Sequence, residues 1–147
     1  MTALTALREG SQDAHRGLAA LTRAGSGLDL LTAELVKVRV SQINGCAYCV
    51  DLHVTKAVEG GEDPRRLHAL AVWREAPFFD DRERAALGLS EALTLPPLGP
   101  VAEPVAEEVA RHFAGDELNA LVATIIGINA WNRVMIVEGV APPALKG

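Results

Sequence analysis

The sequence predicts an all-α protein folded as one domain, and three observations carry that prediction. Hydrophobic residues fill 49% of the 147 positions but aromatics only 4%, so Ala, Leu and Val dominate, and Ala and Leu lose little on entering a helix. Apolar residues recur at three- and four-residue steps, with no convincing strand alternation and no repeat. Helix start and stop residues fall between these segments. A chain of this length suits a single core. The domain is expected to span residues 1–147, with its core at about 28–137.

The elements follow in order. A weak helix is expected over residues 3–21, interrupted around Gly10-Ser11, and a glycine-containing loop over 24–27 follows it. Residues 28–43 have Leu28, Leu31, Leu35 and Val38 at helical steps, and Asn44-Gly45 tolerates the left-handed conformation that closes a helix. A third helix begins at or near Cys46 and runs to Glu59, stopped by Gly60-Gly61. Asp63 caps a fourth, with Pro64 in its first turn, ending before Pro77. Asp80 and Glu83 have capping-box spacing and open a fifth helix through about Leu93. The stretch 94–104, with four prolines, reads as a loop, 105–113 as a short helix, and Gly115-Asp116 as the lead into a long apolar helix. Ala141-Pro142-Pro143 is expected to be a frayed tail.

Composition excludes some functions. A net charge of −5 and no Lys/Arg cluster argue against nucleic acid, which requires a basic face to displace counterions. The first residues lack a basic start followed by an apolar run, so no secretory signal is read and the cytoplasm is the expected compartment. Thiols stay reduced there, and a close Cys pair points to catalysis or metal binding. Residues 118–137 are apolar enough to raise the question of a membrane span. Asn129, Asn132 and Arg133 interrupt them, and an Arg inside a bilayer costs about 2.5–3.5 kcal/mol, so a buried helix and no membrane are expected.

The chemistry concentrates in NGCAYCVDLH, residues 44–53, which holds the only two cysteines. On one helix, Cys46, Cys49 and His53 share a face at steps of three and four. A helix N-terminus stabilises a thiolate, which favours Cys46, whereas a nearby base favours Cys49. His53 is placed to take or give a proton. Upstream, Glu34 lies within the apolar stripe of its own helix; burial there is expected to raise its pKa and make it a proton acceptor near neutral pH. Two other readings of the cysteines remain: buried apolar residues, or zinc ligands together with His53 and, as the fourth, Glu34 or another His. Against zinc, there is no second Cys pair.

Glu34, eleven residues, Cys46-Ala47-Tyr48-Cys49, three residues and His53 resemble the signature of the AhpD-like alkylhydroperoxidases, within the carboxymuconolactone decarboxylase superfamily. The flanks ELVKVRVSQINGCAYCVDLH, WREAPFF, ERAAL and INAWNR extend the resemblance from about Leu28 to Val137. It implies an AhpD-like helical bundle assembled as a homo-oligomer, a trimer or hexamer. It implies reduction of a hydroperoxide by a Cys pair cycling between dithiol and disulfide, with no organic cofactor. Cys49 would be the attacking thiolate, Cys46 would condense with its sulfenic acid, and Glu34 and His53 would relay protons. The electron donor would be a thiol or dithiol, such as a lipoyl group or a thioredoxin-like protein. Tyr48 departs from members with a second His between the cysteines; a phenol, with pKa near about 10, is a poor base. Superfamily members that act as decarboxylases lack the Cys pair. A non-catalytic redox sensor or zinc protein is the alternative from another class. Asn129, Asn132 and Arg133 are expected to bond neighbouring backbone or an adjacent subunit, or else to line the dithiol pocket. Trp73 and Trp131 are expected to be packing, and nothing is assigned to His15, His68 or His112.

Overall fold

The computed structural model describes residues 12–95 and 99–145. Among the described residues there are seven α-helices and no strand. The helices are α1 (Gln12–Ala24), α2 (Leu30–Asn44), α3 (Ala47–Glu59), α4 (Pro64–Ala69), α5 (Asp81–Thr94), α6 (Glu103–His112) and α7 (Gly115–Val137). Residues 3–11 of the first expected helix, including its interruption at Gly10-Ser11, lie outside the described residues; the remainder, 12–21, is helical within α1. The loop expected at 24–27 is the end of α1 and a short 3-10 turn, Gly25–Gly27.

Local chemistry sets the boundaries. Asp29 accepts from the Thr32 N–H at 2.9 Å, so α2 begins two residues later than periodicity alone suggests. A side-chain cap outweighs the apolar period at a helix start. Asp80 and Glu83 form the reciprocal capping box, with bonds of 2.8 and 2.9 Å. Two expectations are corrected. The helix opened by Asp63-Pro64 tightens after Ala69 into a 3-10 turn, Leu70–Val72, instead of continuing towards Pro77. Pro104, read as loop, stands in the first turn of α6, where its missing N–H has no intrahelical partner to lose.

Helix α2 is the centre of the bundle and packs against α3, α5 and α7. One apolar cluster joins Val36 and Val40 to Ala86, Leu121 and Ile125; a second joins Leu35 and Val38 to Leu70, Trp73 and Leu87. α7 is long and apolar enough to cross a membrane by length and composition, but one face packs against the bundle through Ala120, Leu121, Thr124, Ile125, Ile128 and Asn132, while Ile126 and Ile136 are exposed. α1 buries none of its residues and lies over α7, joined to it by a bond from Trp131 Nε1 to Thr22 Oγ1 at 2.9 Å and by His15 to Glu138 at 2.9 Å. It therefore forms one wall of a groove beside α3.

Candidate active site

The site begins where α2 stops. Gly45 has φ +72°, a left-handed conformation in which a side chain would be strained. The Gly45 N–H donates to Gln42 O at 3.3 Å and the Cys46 N–H to Ser41 O at 3.1 Å, the paired bonds that satisfy the last carbonyls of a helix. The chain turns at once into α3, with Cys46 as the N-cap. A buried polar network pins this turn to α7. Asn44 Nδ2 donates to Asn129 Oδ1 at 2.9 Å and Asn132 Oδ1 at 3.0 Å, and Asn132 Nδ2 donates to Ser41 Oγ at 2.9 Å. Asn129 Nδ2 reaches Thr94 Oγ1 at 3.0 Å.

Asn129 and Asn132 of INAWNR thus bind side chains of neighbouring helices and hold the turn that presents Cys46; Asn129 also bonds Ile125 O, and among the described residues Arg133 bonds only Asn129 O, in its own helix. Neither Asn129 nor Asn132 lines the cavity at Cys49. Trp131, expected only to pack, forms part of the cavity wall. Trp73 is buried and donates from Nε1 to Glu91 at 2.9 Å.

Cys46 and Cys49 are joined by a disulfide, with Cα atoms 5.3 Å apart. They, Glu34 and His53 are all nearly sealed from solvent, at 2%, 3%, 2% and 8% exposure. Cys46 Sγ accepts from the Cys49 N–H at 3.3 Å. The first sulfur therefore sits at a helix N-terminus with a backbone N–H directed at it, where negative charge is stabilised. Cys49 opens instead onto a cavity of about 520 Å³ between α1, α3 and α7, which His53 also lines. A neighbouring cavity of about 410 Å³ shares His53 but not Cys49. Cys46 lines a separate depression with Gln42 and Val50.

Glu34 joins this group from α2, but without the raised pKa that burial alone suggested. His53 Nδ1 donates to its Oε2 at 2.7 Å and Lys37 Nζ to its Oε1 at 2.8 Å. Burial raises its pKa, but the hydrogen bonds from His53 and Lys37 and their charges outweigh it and hold the carboxyl below its ordinary value. Glu34 is an anion. Since a carboxylate only accepts, Nδ1 of His53 carries a hydrogen, and in the neutral imidazole the free lone pair is on Nε2. Lys37 is a further partner of Glu34, and its i,i+3 spacing was the signal available in the sequence. Among the described residues no three His, Cys, Asp or Glu side chains are grouped to hold a metal ion.

Known proteins resemble this chain in sequence and in fold. Residues 9–92 match the carboxymuconolactone decarboxylase family. Uncharacterized protein YdfG of Bacillus subtilis is 41% identical over 114 residues, 78% of each chain. A crystal structure from Agrobacterium tumefaciens, of a protein of unknown function named as a candidate antioxidant defence protein AhpD, superposes with a TM-score of 0.86 at 32% identity, covering 93% of this chain and 95% of that one. An uncharacterized peroxidase-related protein from Silicibacter superposes with a TM-score of 0.75 at 26% identity, over 88% of this chain and 70% of that one.

Proposed function

This chain belongs to the carboxymuconolactone decarboxylase family, and from that premise we propose that it is a thiol-dependent peroxidase reducing organic hydroperoxides through Cys46 and Cys49. The observation that carries the reading is the junction of three features at one cavity. A redox-capable Cys pair opens into it through Cys49, a histidine one helical turn on lines the same space, and that histidine is oriented by an ionised buried glutamate. The names of the Agrobacterium and Silicibacter proteins point the same way.

In the reduced protein, His53 Nε2 takes the proton of Cys49, and Glu34 stabilises the imidazolium that results. The Cys49 thiolate attacks the terminal oxygen of the hydroperoxide. The O–O bond breaks, the alkoxide leaves and takes the proton from His53, and Cys49 becomes a sulfenic acid. The Cys46 thiol then attacks the Cys49 sulfur; water leaves and the disulfide forms. A dithiol donor supplies two electrons and two protons to restore both thiols. The positions of the two sulfurs support the order. Cys49 faces the cavity and the base, while Cys46, stabilised as an anion by its cap position, is the better leaving group when a donor attacks the disulfide. Assembly as a homo-oligomer, trimer or hexamer, belongs to the same proposal.

The test is hydroperoxide consumption by the reduced protein with a dithiol in excess. Repeated turnover is expected. Cys49→Ser should abolish it, and Cys46→Ser should react once and retain a sulfenic acid that a dimedone probe captures. Full turnover by Cys49→Ser would end the assigned mechanism. Loss of both thiols without sustained peroxide consumption would mark a one-shot oxidant sensor.

A further inference from the structure

The groove at Cys49 carries charge that the dithiol chemistry does not use. Its apolar walls come from Leu52, Ile128, Trp131 and Met135, on α3 and α7. Two cations stand in the same lining, Arg23 from α1 and Lys56 from α3, both exposed. Lys56 also lines the neighbouring cavity, so it stands where the two meet. Among the described residues neither Arg23 nor Lys56 pairs with a carboxylate; Arg65, Arg84 and Arg133 also lack one, but Arg84 and Arg133 bond backbone carbonyls and Arg65 lies over the Phe78 ring, and none of the three lines this groove. Lys37, the other cation near His53, is engaged by Glu34. An apolar trough with a reactive sulfur at its floor and two uncommitted cations in its lining fits one kind of molecule: an apolar chain that ends in an anion.

We propose that this groove selects amphipathic hydroperoxides that carry a carboxylate, with Lys56 and Arg23 binding the carboxylate while the peroxide reaches Cys49. The reacting group rests on the peroxidase reading; the anion site does not. The helix sets the scale of the ligand. Lys56 follows Cys49 by seven residues on α3, a rise of about 10 Å at about 1.5 Å per residue. With the backbone positions of the sulfur and the lysine about 10 Å apart along the helix, the proposed ligand is one whose peroxide and carboxylate are separated by an apolar stretch of that order, as in a long-chain acid oxidised in mid-chain. The redox step is unchanged: the thiolate takes the terminal oxygen and the product is the corresponding hydroxy acid, still bearing its carboxylate.

Two measurements on the full chain test the proposal. The first is titration of the oxidised, disulfide protein with decanoate and with 1-decanol, below their aggregation limits, followed by calorimetry. The second is kcat/KM for a long-chain acid hydroperoxide and for its methyl ester, with a dithiol as reductant. Exposed charge pairs are individually weak, so the two cations together should favour the acid by about tenfold in each ratio. The double variant Arg23→Gln, Lys56→Gln should bring both ratios to about one, and Lys56→Arg should keep them. Equal binding of decanoate and decanol by the unaltered protein, or a preference that persists in the double variant, would overturn the proposal. If no hydroperoxide is turned over but decanoate is preferred and the double variant loses that preference, the anion site stands and the peroxidase reading falls. Turnover of acid and ester at equal efficiency, with no binding preference, would give the opposite result.

Discussion

Replacing Glu34 with Gln tests the charge state that separates this site from the simpler expectation of a buried acid acting as the base. The change keeps shape and one acceptor oxygen but removes the charge. In the structure the carboxylate receives two charge-assisted bonds, at 2.7 Å from His53 and 2.8 Å from Lys37. Such bonds are each worth about 1.5–3 kcal/mol. The amide can keep one of them in weakened form, so a loss of about 2–4 kcal/mol of stability is expected at pH 7. The sign of the pH dependence follows from the depressed pKa. A carboxyl whose folded pKa lies below its unfolded value contributes stability that is complete above the unfolded value, about 4.3, and is lost as pH falls through the lower folded one. The stability gap between wild type and Glu34→Gln, read from urea unfolding at a series of pH values, should therefore be constant near neutrality and close below about pH 4.3. The rate tests the chemistry. Without the anion the imidazolium of His53 loses its partner, and proton removal from Cys49 becomes harder. Rapid-mixing measurement of thiol loss on adding hydroperoxide should slow by about a hundredfold at pH 7, the lower range for a general base. The pH–rate profile should move to higher pH. A variant with the wild-type rate and profile would refute the argument and leave Glu34 a purely structural residue.

Two further outcomes follow from the scaffold beneath the site. Asn132→Ala should cost about 1–3 kcal/mol, because it leaves Ser41 and part of Asn44 without their buried partner; urea unfolding reads the loss, and an unchanged midpoint would remove the network from the account of how the Cys46 turn is held. Gly45→Ala should cost about 1–2 kcal/mol, since φ there is +72° with open space around the site; a neutral substitution would mean that the turn relaxes into another conformation.

What was legible in the sequence was mostly what local rules decide. Asn44-Gly45, Asp63-Pro64 and the Asp80–Glu83 box act within a few residues of themselves, and each marks a helix end in the structure. Pro104 went astray because proline breaks a helix interior yet suits a first turn, and the sequence does not state which applies. Glu34 divides the same way. Its burial followed from its place in an apolar stripe, but its charge depends on Lys37, one turn away, and on His53, delivered by a different helix. Trp131 and Arg23 were invisible as groove residues, because only the packing of α1 and α7 around α3 brings them beside Cys49. The polar face of INAWNR could be seen to need partners, but not that its partners hold the residue two positions before Cys46.

The same turn that ends α2 also divides the work of the two sulfurs in the proposed cycle. A two-residue connection leaves Cys46 no place except the N-cap of α3, where its sulfur meets the Cys49 N–H. The following three-residue step turns Cys49 towards α1 and α7 and into the cavity that His53 lines. The cap position lowers the cost of a thiolate on Cys46, which makes it the sulfur that leaves when the disulfide is attacked at Cys49. Peroxide and reductant then approach the same sulfur through the same groove, and they must do so in alternation. A donor that uses this route needs a slender reactive arm, because α1 walls the groove on one side and Trp131 on another. In the proposed cycle, a dithiol borne on a flexible chain would meet that requirement.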